Sequence, residues 1–165
     1  MKKVLVFLFV AMALIGLSCK STSGVIIDGD ATEEKVNQAL EEIYDFYFAK
    51  LDLTDAQSYT VVSGDTLSGI ARKLYGDLTG VGNAGTRNGF YFPVIMLASS
   101  NAGISHPDRI DPGMKLTIPD LKKNLANPGA RKAIKNCLKD VAYVYEKKGN
   151  SAADVKGLVD LADSL

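Results

Sequence analysis

The chain has 165 residues, 47% hydrophobic and 23% charged, with nineteen basic and nineteen acidic side chains. That length bounds one ordinary domain with attachments, and the composition excludes a disordered chain. A formal net charge of zero offers no broad basic field to a phosphate backbone, so no nucleic-acid partner is expected.

The chain opens with a basic "MKK" and then an apolar run, "VLVFLFVAMALIGL", over residues 4–17. The run falls short of the ~20 residues that a spanning helix needs and suits the apolar centre of an export signal. With "IGLSCK" after it, the segment resembles a bacterial lipoprotein signal, whose cysteine is acylated and becomes the mature N-terminus. Ser18 fits the small residue before the cut; Gly16 stands where such signals usually carry Leu, and Leu17 comes one step late. The resemblance implies a signal peptide over 1–18, lipidation at Cys19 and a membrane partner through that lipid. The alternative is an ordinary secretory signal cut near Ala13. Lys20 stands beside the cysteine, where an inner-membrane retention signal of enteric bacteria has Asp. The expected location is therefore the cell envelope, on the periplasmic side of the outer membrane.

Residues 19–29 begin with small polar "KSTSG" and read as a tether. Residues 30–57 hold an N-terminal helix over 31–50. Asp30 with Glu33 forms a candidate capping box, and Val36, Ala39, Leu40, Ile43 and Tyr47 form an apolar stripe. Residues 58–62, "SYTVV", read as a strand. A helix over 66–75 follows, with Leu67, Ile70, Ala71 and Leu74 on one side. A glycine-rich linker spans 77–89, and "FYFPVIMLASSN" is a second helix opened by Pro93. "ISHPDRIDPG" is a turn-rich loop, and "MKLTIP" a second strand closed by Pro119. In residues 122–165 two antiparallel helices are expected: one capped by Asn127 with Pro128 at its first position and Gly149 past its end, the other capped by Ser151 and Asp154. Cys137 falls at helical spacing with Ile134, Val141 and Val144 and reads as a small buried apolar residue.

"YTVVSGDTLSGIARKLYG", "SSNAGI" and "PDRIDPGMKLTIP" together resemble a LysM domain, a small module that binds peptidoglycan and chitin. The resemblance covers residues 59–119. It implies an α+β fold: a βααβ unit over 58–121 with a two-stranded antiparallel sheet, flanked by the N-terminal helix and the C-terminal helical pair. It also implies a glycan groove, with Gly64, Asp65, Thr66 and Leu67 on one side and the loop after Asn101 on the other. Ile104 and Ile110 are candidates for its apolar floor. The residues supply a physical reason. Gly64 permits a sharp turn out of the strand, Asp65 or Thr66 can cap the helix that follows, and Gly113 supplies a positive φ after Pro112. The linker at 77–89 is longer than a LysM unit needs and reads as an idle loop. Its Gly80, Gly82 and Gly85 spell G-x-G-x-x-G, but they follow a helix rather than a strand, so no dinucleotide site is expected. Trp is absent, so any sugar stacking falls to Tyr75, Phe90 or Tyr91.

Enzymatic activity is not expected. The sole histidine, His106, gives no zinc ligand set. A Cys137–His106 pair would run opposite to the Cys-before-His order of wall cysteine peptidases. No paired carboxylates stand out for glycoside hydrolysis. No cofactor is expected. The expected partners are peptidoglycan glycan strands and a membrane, with the flanking helices packed on the LysM unit or on each other, away from the groove. Two alternatives differ in class: an envelope scaffold whose helices bind a protein, and an accessory subunit of a wall hydrolase.

Overall fold

The computed structural model describes residues 21–76, 86–99, 103–104 and 107–165. The export signal, Cys19, the Gly80–Gly82–Gly85 spacing, Asn101 and His106 lie outside the described residues.

Strand β1 (Gln57–Thr60) pairs antiparallel with β2 (Lys115–Ile118), placing Gln57 opposite Ile118 and Thr60 opposite Lys115. Between them run α2 (Leu67–Tyr75), a 3-10 helix (Thr86–Tyr91) and α3 (Phe92–Ser99). Helix α1 (Glu33–Phe48) precedes this unit; α4 (Leu121–Ala126), α5 (Pro128–Lys148) and α6 (Ala152–Asp163) follow it. The fold is thus the expected α+β arrangement, a βααβ unit with helices on both sides.

Local chemistry sets the helix ends. Thr32, in extended conformation, caps α1 by accepting from the Lys35 amide at 3.4 Å, in place of the expected Asp30–Glu33 box. Asn127 caps α5 by accepting from the Gly129 and Ala130 amides, and Pro128 needs no amide partner at the first helical position. Ser151 caps α6 through the Asp154 amide. Helix α4 is an addition to the expected elements. Six residues are too few to show a helical period, and tertiary bonds hold them. The buried Asn124 accepts from the Asp52 amide at 2.8 Å and donates to the Asp52 and Asp120 carbonyls.

The two helices of the βααβ unit differ in burial. All eight residues of α3 are buried. Ser99 at its end bridges to the outer edge of β2, accepting from the Thr117 amide and donating to the Thr117 carbonyl. Helix α2 buries Leu67, Ile70, Ala71 and Tyr75 only. Leu74, expected in the stripe, is 36% exposed. Tyr75 takes the interior instead: its ring packs edge-on to Tyr91 at 6.1 Å and its hydroxyl donates to the Pro119 carbonyl.

The flanks share one apolar core with the unit. Helix α1 lays Val36, Leu40, Ile43, Tyr44 and Tyr47 against α3 and α5, and α5 pairs with α6. Each such side chain contributes about 1.5–3 kcal/mol on burial. Cys137 is 1% exposed within this core, and burial, then the Asp140 carboxylate, pushes its thiol well above the usual range. A protonated, enclosed thiol is a packing group rather than a nucleophile.

The segment read as a tether is fixed from Thr22 onward. Asp140 is fully buried, and its carboxylate accepts from the Thr22 amide at 2.5 Å, the Ser23 amide at 2.7 Å and the Tyr47 hydroxyl at 2.9 Å. A buried carboxylate demands such partners. Four residues on, the Ile27 amide donates to the Tyr143 hydroxyl, and Val25 and Ile27 enter the core. Small polar residues read as loose chain because the buried acceptor lies 117 residues away in sequence.

Candidate functional site

Two glycine turns meet at one end of the sheet. In the first, the Asp65 amide donates to the Val62 carbonyl across Gly64, whose φ is +89°. That is the third-position geometry of a type II turn, which a side chain resists. The Asp65 carboxylate locks the turn by accepting from the Val62 amide at 2.9 Å and the Tyr59 hydroxyl at 2.8 Å. These two donors, the amide foremost, hold the Asp65 carboxyl below the usual carboxylate range. Thr66 caps α2 through the Gly69 amide at 3.1 Å. Of the two candidates for the cap, Thr66 fills it and Asp65 fixes the turn.

The second turn has Gly113 at φ +95°. Its amide donates to the Val61 carbonyl, and the Val61 amide donates to the Met114 carbonyl, both at 2.9 Å. The backbone of one turn is therefore bonded to the approach of the other.

Beside the first turn lies an open cleft of ≈ 470 Å³. Asp65, Thr66, Leu67 and Ser68 line one side, with Arg72 further along α2. Pro107, Asp108 and Ile110 line the opposite loop. The volume lies within the ~300–1,000 Å³ usual for small-ligand sites. Of the predicted residues, Asp65, Thr66, Leu67 and Ile110 meet at this cleft, with Gly64 shaping its edge. Ile104 does not serve as its floor. It is 3% exposed and belongs to the core, because its loop folds the apolar side chain inward. Ile110 is half-buried and remains available to an apolar ligand group.

The third wall was not expected. Tyr145 at the end of α5, Asn150, and Asp154 and Leu158 of α6 close the cleft, so the C-terminal pair stands at the groove rather than away from it. The end of the linker makes this possible. Asn88 is buried and donates to the Tyr75 and Gly76 carbonyls. Phe90 then sets the tip of its ring against α6 at Gly157, where a β-carbon would come within 2.1 Å of the ring. Phe90 and Phe92 join the lining, and the Phe92 ring stacks on Tyr145 at 6.0 Å. Of the other aromatic candidates, Tyr75 and Tyr91 are buried and take no part. Asn88 at the described end of the linker and Phe90 just past it thus bracket α2 and α6; residues 77–85 of the linker lie outside the described residues. A glycine inside a predicted helix, Gly157, is the sequence signal that marks such a close approach.

The Tyr145 phenol is pushed above its usual range by burial and by the Asp108 and Asp154 carboxylates, so it stays a neutral hydroxyl. The cleft therefore offers hydroxyls, an amide, carboxylates and a guanidinium around an aromatic and aliphatic floor. That mixture suits a polyhydroxylated ligand with apolar faces.

Sheet order, turns and cleft define a small βααβ ligand-binding module. A LysM domain is detected in it: the family model described as "LysM domain" matches residues 59–84 and 93–119. The unmatched gap falls on the 3-10 bracket. Two curated chains of Mycobacterium tuberculosis, Esterase Rv1288 and Esterase MT1326, are each 32% identical to this chain over 74 residues. The match covers 45% of this chain and 13% of each esterase. No solved structure matches the chain. LysM domains bind carbohydrate, and the match suggests that activity for this unit.

Proposed function

We propose that the chain is a lipid-anchored envelope protein whose LysM unit grips peptidoglycan without catalysing its turnover. The observation that carries the reading is the convergence of the LysM match with a cleft at its first glycine turn. The proposed glycan contacts are Asp65, Thr66, Leu67 and Ile110, with Asn150 on the added wall; Asn101 is proposed from the LysM resemblance alone. A GlcNAc acetamide needs a donor, an acceptor and an apolar spot for its methyl, and the cleft lining supplies all three classes. Anchoring through Cys19 and residence at the outer membrane rest on the lipoprotein-like sequence at residues 2–19.

Binding without catalysis is supported by the enclosed, protonated state of Cys137. The esterase similarity is confined to a LysM-sized stretch, 13% of those proteins, so it speaks for a shared module. Purified sacculi and chitin oligomers are the test, with a zymogram alongside. The expected outcome is retention on sacculi and no clearing band. Loss of sacculus binding, or a clearing band, rejects the reading. Acylation is tested separately by the mass of the N-terminal peptide, and Cys19→Ala should release the protein from membranes or leave it unprocessed.

A further inference from the structure

We infer that the N-terminal half of α5 and the end of α1 form a surface that rests on anionic lipid headgroups, with the glycan cleft aimed away from them. The inference builds on the anchoring reading of Cys19.

The first observation is the fixed position of Thr22 and Ser23. Asp140 holds their amides, and Thr22 is only three residue steps from Cys19. Three steps span about 10 Å at full extension. An acyl group on Cys19 would therefore bring the protein body itself to the membrane surface, with no long leash.

The second observation is what surrounds Thr22. A shallow surface there is lined by Thr22, Phe46, Lys50, Ala130, Lys132 and Asn136, with no carboxylate in its lining. Phe46 is 49% exposed, one of few large apolar side chains left in the open, and the Lys50 ammonium sits 5.3 Å from its ring centre. An exposed aromatic flanked by lysines is the chemistry that inserts at a headgroup layer, the ring entering the interface and the ammonium groups pairing with lipid phosphates. Lysine stems bury their methylenes while keeping the charge among the headgroups.

The third observation is direction. Lys132 lies near the start of α5 and Tyr145, at the cleft, near its end. The helix rises about 20 Å between them. Helix α5 is thus a strut with the lipid-facing patch at one end and the glycan site at the other.

The test uses the acylated full-length chain in vesicles of phosphatidylcholine mixed with phosphatidylglycerol. Asn136→Cys within the patch and Glu146→Cys in the last turn of α5 carry the same fluorophore, Cys137 being enclosed. Iodide quenching should fall several-fold on reconstitution for the label at 136 and stay unchanged at 146. Lys50→Glu with Lys132→Glu should restore quenching at 136 while thermal melting holds. Equal quenching of both labels in a chain whose mass carries the Cys19 lipid overturns the inference and leaves anchoring intact. If the mass shows no lipid, the anchoring reading fails and sedimentation of the same chain with these vesicles decides. Binding that drops roughly tenfold or more in the double-lysine variant supports the surface. Binding indifferent to the lysines, or none, overturns it.

Discussion

Helices α2 and α3 belong to the same βααβ unit, yet they meet different surroundings. Helix α2 keeps one face in the core and shows Ser68, Arg72 and Lys73 to the cleft side and solvent. Helix α3 shows nothing beyond the Phe92 ring at the cleft, because α1 and α5 cover the face that α2 and the sheet leave open. The difference teaches where this chain separates its tasks. The half-exposed side of the unit borders the cleft, and the buried side fuses the unit to the rest of the protein.

Substitutions on the two sides should separate accordingly. The largest effect belongs to Ile104→Asp, which puts a charge into the core at a cost of several kcal/mol. Circular dichroism should show an unfolded or strongly destabilised chain, whereas Ile110→Asp at the half-buried cleft position should fold and lose sacculus retention. A folded Ile104→Asp with wild-type melting would put that residue back at a surface. Next comes Ile95→Ala in the middle of α3, expected to cost about 2–5 kcal/mol in urea unfolding with glycan retention intact below the transition. By the same logic residues 59–121 alone should melt well below the full chain, since α3 loses its cover. Equal melting temperatures would break the comparison.

Gly157→Ala tests the bracket between the two sides. Alanine gains up to about 1 kcal/mol of helix propensity, but its methyl meets the Phe90 ring, and overpacking costs about 1–3 kcal/mol. The three nearest atoms are the far end of the Phe90 ring, within 2.6 Å of the added carbon, so the ring must swing away from α6 and lose its contact there. A modest net loss of stability is expected, with Phe90 displaced and sacculus affinity lowered. Unchanged affinity would mean that the third wall is not part of the site. Asn150→Ala should be milder, removing one glycan hydrogen bond of about 0.5–1.5 kcal/mol, a loss of up to roughly tenfold in affinity with no change in melting.

The smallest effect lies far from the cleft. Hydrogen bonds from the Thr54 side chain and amide, then from Lys123, bring the Asp52 carboxyl down to about 2. A depressed carboxyl contributes stability above its unfolded value near 4 and loses it as pH falls toward 2. Side-chain NMR should report that midpoint for Asp52, and Lys123→Met should raise it. An Asp52 midpoint at the ordinary value would mean that the contacts at α4 are not formed in solution.

Sequence alone determined the features that depend on neighbours along the chain. The βααβ order, the caps Asn127 and Ser151, the turn at Gly64 and the buried stripe of α1 follow from periodicity and from residues with special backbone or capping chemistry. The tertiary structure decided everything that depends on partners far apart in sequence. Asp140 turned an apparent tether into a strap, Phe90 against Gly157 turned a linker into a bracket, and Tyr145 with Asn150 gave the cleft its third wall. Ile104 and Ile110 have the same side chain in the same loop, and only the packing around them placed one in the core and the other at the cleft. Local pattern specifies which face of a segment is apolar; it does not specify what that face, or a lone polar group, will meet.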